Sequence, residues 1–135
     1  MQTTTWNIRG CNNTLKIHLL RRRIELDNPG IIFLQETKCS EAELKIIGGK
    51  VWRGSEAIAV DAKGATGGIG ILWNPRDVSL FEFYATHHSL SKKFHILGTS
   101  TRGFITNVYG PPRADHKRQF LDSLGMLKSE SEGNP

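Results

Sequence analysis

A chain of 135 residues suits one domain, 1–135. Lys and Arg outnumber Asp and Glu by 18 to 13, giving a net charge of +5 and a pI near 9.5, a balance that favours polyanionic partners. Two cysteines, Cys11 and Cys39, are too few for a disulfide scaffold and are not spaced as a zinc site. No apolar run approaches the ~20 residues of a membrane span. The start, Met1 to Trp6, has neither the basic nor the apolar region of a secretory signal. An intracellular chain with reduced thiols is expected.

In chain order, Thr3 to Ile8 is β-prone and is stopped by Gly10. Asn12 or Asn13 can cap a helix in which Ile17, Leu20 and Ile24 share one face, while Lys16, Arg21, Arg22 and Arg23 make the exposed part basic. Asn28-Pro29-Gly30 ends it. Ile31 to Leu34 is an unbroken apolar run, as in strands buried on both faces. Strand, helix and strand at this length predict a parallel crossover. Ser40, with Glu43 in the capping-box position, starts a short helix to Ile47 that Gly48-Gly49 should terminate. Short strands follow at Val51 to Arg53, Gly68 to Trp73, Leu80 to Thr86, Phe94 to Leu97 and Phe104 to Tyr109, so the later part of the sheet should be antiparallel. Asp115 caps a last helix with Phe120, Leu121, Leu124 and Leu127 on one face. The predicted class is α/β (α+β), one mixed β-sheet with flanking helices.

If the first two strands are parallel neighbours, Asn7 and Glu36 emerge at one edge of the sheet, where open α/β sheets build their sites. An ionised carboxylate after an apolar strand needs a partner or a metal. Glu36 suits a hard cation such as Mg²⁺, which takes one or two carboxylates plus water and phosphate oxygens. An ion pair with Lys38 or an arginine is the plainer alternative. Asn7 can orient a carboxylate, a metal-bound water or a phosphate, or bond the local backbone. Tyr109, set by Gly110-Pro111, can reach a phosphate oxygen or serve in packing. Gly64 to Gly70 lacks the Gly-Lys-Ser/Thr ending of a phosphate loop and reads as a turn entering a closely packed strand. His18, His87, His88, His95 and His116 form no metal-ligand pattern.

Taken in order, Trp6-Asn7-Ile8-Arg9-Gly10, Leu34-Gln35-Glu36-Thr37-Lys38, Gly67-Gly68-Ile69-Gly70-Ile71-Leu72-Trp73 and Asn107-Val108-Tyr109-Gly110-Pro111 resemble the motifs of the endonuclease/exonuclease/phosphatase (DNase I-like) family, with the flavour of plant LINE-type retrotransposon endonuclease domains. Each motif is weak alone, but four in order are specific. The resemblance implies that Glu36 is a Mg²⁺ ligand (Mn²⁺ being the alternative metal), that Asn7 helps position metal and phosphate, and that Tyr109 contacts the scissile phosphate. The implied reaction is hydrolysis of nucleic-acid phosphodiester bonds by an activated water. Arg9, Lys38 and Arg113 are the candidates for nucleic-acid contact, with DNA as the expected partner and the nucleus as the expected place.

Two departures from the family pattern matter. Many DNA-repair members carry an acidic residue two after the first-motif Asn, where this chain has Arg9, which weakens a reading as abasic-site repair. The chain also resembles only the first half of the family's four-layer α/β/β/α sandwich, and Glu132-Gly133-Asn134-Pro135 resembles the segment before the Gly-Asp-Phe-Asn strand of the second half. The expectation is therefore a partial domain, inactive alone, with an apolar sheet face left open to oligomerisation or aggregation. The alternative is a catalytically dead remnant that at most binds nucleic acid. A phosphatase or lipid phosphodiesterase of the same fold is less attractive, given the basic charge and Arg9.

Overall fold

The computed structural model describes residues 2–11, 13–60, 67–85 and 89–108. The chain begins with strand β1 (Thr3–Asn7), helix α1 (Thr14–Asp27) and strand β2 (Ile31–Gln35). As predicted, β1 and β2 pair in parallel, from Thr3 opposite Ile31 to Asn7 opposite Gln35. Asn13 is the N-cap of α1, its side chain accepting from the Lys16 N–H at 2.8 Å. Asn28 closes the helix in the left-handed region (φ 44°), donating its N–H to the Ile24 carbonyl at 2.9 Å. Leu20 and Ile24 are buried beneath the helix, while Arg21, Arg22 and Arg23 are exposed. Two of these arginines are engaged: Arg21 bonds the Lys50 carbonyl, and Arg23 lies 3.9 Å from Asp27.

Helix α2 (Glu41–Val51) starts on the expected capping box between Ser40 and Glu43. It does not stop at Gly48-Gly49. Gly48 is buried inside the helix, where an added Cβ would lie 3.1 Å from Leu72, so the glycine permits close packing instead of ending the helix. Val51 is consequently the buried end of α2, and the expected strand moves to β3 (Glu56–Val60). Strand β4 (Ile69–Trp73) is antiparallel to both β2 and β3, giving the order β1-β2-β4-β3.

The predicted α/β class holds, but the strands divide between two sheets. With β2 on one edge of β4 and β3 on the other, β4 has no edge left to pair. The chain turns through Asn74–Asp77, whose ends are bonded by Asp77 N–H to the Asn74 carbonyl. It then builds an antiparallel second sheet from β5 (Val78–Ala85), β6 (Ser89–Ile96) and β7 (Arg102–Val108). The helix expected from Asp115 lies outside the described residues.

Two cores follow from this layering. Leu20, Ile24, Ile32, Leu34, Leu44, Ile47 and Leu72 fill the space between the helices and the four-stranded sheet. Ile31, Ile69, Ile71 and Trp73 meet Val78, Leu80 and Leu90 on its other face. The face expected to lie open is thus covered, because the three-stranded sheet packs against it. Exposed aromatic area persists on β5, at Phe81, Phe83 and Tyr84. The Lys92 ammonium lies 4.9 Å from the Trp73 ring centre, and burial pushes its pKa down.

The Asn107 side chain joins the sheets by hydrogen bonds. Asn107, 1% exposed on β7, donates to the carbonyls of Leu34 (3.0 Å) and Gly70 (2.8 Å), which face each other across β2 and β4. It also accepts from Gln35 Nε2 at 2.6 Å. Replacing Asn107 with Leu removes the second donor from two ladder carbonyls and leaves the Gln35 amide donor buried without this partner, and should cost about 1–3 kcal/mol, read as a lower urea midpoint. Gly70→Ala should cost about 1–3 kcal/mol in the same assay, since its Cβ would fall 2.5 Å from the buried Leu44 side chain.

Candidate active site

Asn7 and Gln35 are register partners at the ends of β1 and β2, so Glu36 leaves the sheet beside Asn7, at the edge anticipated. The parallel ladder continues past both strands. Ile8 N–H donates to the Gln35 carbonyl at 3.0 Å, Gly10 N–H to Glu36 at 2.7 Å, and Cys11 N–H to Thr37 at 3.1 Å. A second loop closes on the first: Thr37 N–H donates to the Gly68 carbonyl at 3.2 Å and Lys38 N–H to Gly67 at 2.9 Å. Gly67 and Gly68 both have positive φ. Gly67 and Gly68 are therefore backbone acceptors for the Glu36 loop.

The backbone here is strained. Arg9, Glu36 and Lys38 have φ of 53°, 53° and 54°, the left-handed region that side chains other than glycine and asparagine avoid. Such residues persist where surrounding bonds over-determine them, and they concentrate at functional sites. The effect is to turn Glu36 out of the strand direction while its backbone stays bonded. Glu36 is half-buried, and Asn7, Arg9 and Lys38 are exposed. The Lys38 stem passes over Gly10, whose added Cβ would lie 3.6 Å from Lys38 Cδ. Lys16 Nζ donates to the Ile8 carbonyl at 2.7 Å and holds the end of β1.

The edge thus brings together four of the predicted residues: Asn7, Arg9, Glu36 and Lys38. Tyr109 and Arg113 lie outside the described residues. A carboxylate and an amide oxygen are hard donors, and they fit Mg²⁺, which keeps several waters and shares few protein ligands. Among the described residues there is no group of three or more His, Cys, Asp and Glu that could hold a metal ion. Thr37 Oγ1, next to Glu36, is buried with no hydrogen-bond partner among the described residues. His95 bonds the Thr99 carbonyl at 2.7 Å.

Sequence reasoning undervalued Gln35 and Asn107. They sit inside the quoted motifs, beside Glu36 and Tyr109. The available signal was chemical: an asparagine within β7 must be satisfied if it is buried. Its bond to Gln35 positions the residue just before Glu36.

The fold is shared with solved structures of low sequence identity. A mannosyl-6-phosphatase of Bacteroides thetaiotaomicron superposes with a TM-score of 0.73 at 12% identity over 98% of this chain and 60% of its own. The human nocturnin catalytic domain with bound sulfate gives 0.69 at 14% identity, over 95% and 57%. TDP2 of D. rerio, complexed with a single-strand DNA product, gives 0.66 at 17% identity, over 97% and 54%. The chain therefore spans less than two thirds of the length of each. No curated protein is significantly similar to it. The family model for the Endonuclease/Exonuclease/phosphatase family matches residues 4–135, and on that match this chain belongs to the family.

Proposed function

We propose that this edge is part of a divalent-metal phosphodiesterase site that acts on nucleic acid. The observation that supports it most is the convergence of Asn7 and Glu36 at one end of a parallel strand pair, on loops held in left-handed turns. The basic excess of the chain and its family membership favour a phosphate ester as substrate.

In this reading the Glu36 carboxylate and the Asn7 amide oxygen hold Mg²⁺, with Mn²⁺ as the alternative. When bound, the metal stabilises negative charge on the phosphate and on the leaving oxygen. Arg9 and Lys38 flank the edge and attract the phosphate backbone, as Arg113 would further along the chain. Asn107 and Gln35 act at a distance: they hold the end of β2, so that Glu36 is presented by a strand that cannot slide. Tyr109 supplies a phosphate contact. DNA is the substrate that the resemblance to retrotransposon endonuclease domains favours, and the nucleus is the setting. Among the described residues no helix is long and apolar enough to cross a membrane.

We further propose that residues 1–135 act as a partial domain, the N-terminal half of the family fold, with little hydrolysis of their own. Supporting this, each solved relative is much longer than the stretch it shares with this chain. A second reading, favoured by the same observation, is a remnant that binds nucleic acid without cleaving it.

Metal binding is read first by thermal shift. Mn²⁺ or Mg²⁺ should raise the Tm of the wild-type chain, and Glu36→Gln should abolish the rise. DNA binding is read by its salt dependence: neutralising Arg9 and Lys38 together should reduce the slope of log K against log salt by about 2. In a plasmid-nicking assay with Mg²⁺ the 135-residue chain should show little activity. Robust nicking that Glu36→Ala removes would establish the enzyme and overturn the partial-domain reading. Salt-dependent DNA binding with no metal shift would favour the remnant.

A further inference from the structure

Cys11 and Cys39 take no part in the chemistry proposed above, yet they are placed with care. Cys11 is fully buried and Cys39 is 3% exposed, and their sulfurs lie 3.3 Å apart. Both are thiols, not joined in a disulfide. Cys11 belongs to the loop behind β1 and Cys39 to the loop behind β2, the two segments that carry Asn7 and Glu36. Their backbones are already registered by Gly10 N–H on the Glu36 carbonyl and Cys11 N–H on the Thr37 carbonyl. The Cys11 thiol also donates to the Thr37 carbonyl at 3.1 Å.

A disulfide needs an S–S distance of about 2.05 Å, so the sulfurs must approach by roughly 1.2 Å from the 3.3 Å observed. Loops, not strands, carry that adjustment. We propose that Cys11 and Cys39 form a modification site: a reversible disulfide that ties the loop behind β1 to the loop behind β2 when the chain meets a hydroperoxide.

The chemistry balances with hydrogen peroxide as oxidant. One cysteine, as thiolate, attacks a peroxide oxygen; the O–O bond breaks, leaving a sulfenic acid and, after protonation, one water. The second sulfur attacks the sulfenic sulfur; the S–S bond forms, the S–O bond breaks, and the oxygen leaves as a second water. The two thiols lose two electrons and the peroxide gains them. The hydrogen bond between the two thiols, together with burial, pushes the Cys11 pKa up, so little thiolate is present in the closed state. Oxidation therefore waits on opening of the loops and is slow at neutral pH. Once formed, the bond holds the loops together.

The test uses the intact chain, treated with hydrogen peroxide and read by non-reducing mass spectrometry. The monomer should lose about 2 Da and regain them with a dithiol reductant. Because the chain holds two cysteines, that loss identifies the bond. Hydrogen exchange across 7–11 and 36–39 should slow in the oxidised form, and a Cys39→Ala chain should show neither change. Addition of oxygen to the thiols without the mass loss, or intermolecular dimers as the main product, would overturn the proposal. None of these readouts depends on metal binding or nuclease activity.

Discussion

The amide of Asn107 is the interaction on which the rest of this structure depends. Apolar packing between the two sheets is strong but non-directional, and it tolerates sliding. A buried amide does not. Each of its bonds has a preferred distance and angle, and each unmade bond costs the full desolvation of a polar group. By donating to Leu34 and Gly70 and accepting from Gln35, Asn107 selects one placement of β7 over β2 and β4. That placement decides where the end of β2 lies, and so where Glu36 is presented.

Beyond the strand ends, order is maintained by backbone bonds instead of apolar contacts. The loops behind β1 and β2 continue the parallel ladder, while Gly67 and Gly68 supply carbonyls to Thr37 and Lys38. Three left-handed residues other than glycine are held within this mesh. A loop left to itself would relax such turns, so the surrounding bonds offset their cost. The result is an edge whose backbone is hydrogen-bonded while Asn7, Arg9 and Lys38 are exposed to solvent.

Much of this was legible from local rules. Asn13 and Asn28 delimit α1 because asparagine accepts at an N-cap and tolerates the left-handed region at a C-cap. The capping box of α2 was legible for the same reason. Gly48 misled, because a glycine that ends a helix and a glycine that lets a helix approach a strand look alike in sequence. The division into two sheets was not legible either. Period-2 patterns show which residues form strands, but which edges are already taken depends on pairing across long separations.

By itself, the sequence determined the parallel unit at the start, the apolar run of β2, the motif order and the place of Asn7 and Glu36 at the end of that unit. These rest on nearest-neighbour chemistry: caps, turns, alternation and charge. Only the tertiary structure decided that the second face of the four-stranded sheet is covered by a second sheet, that Asn107 and Gln35 brace the strand carrying Glu36, and that Cys11 and Cys39 meet. Those facts join residues 28 to 73 positions apart, and separations of that kind are set by how layers stack, which no local pattern encodes.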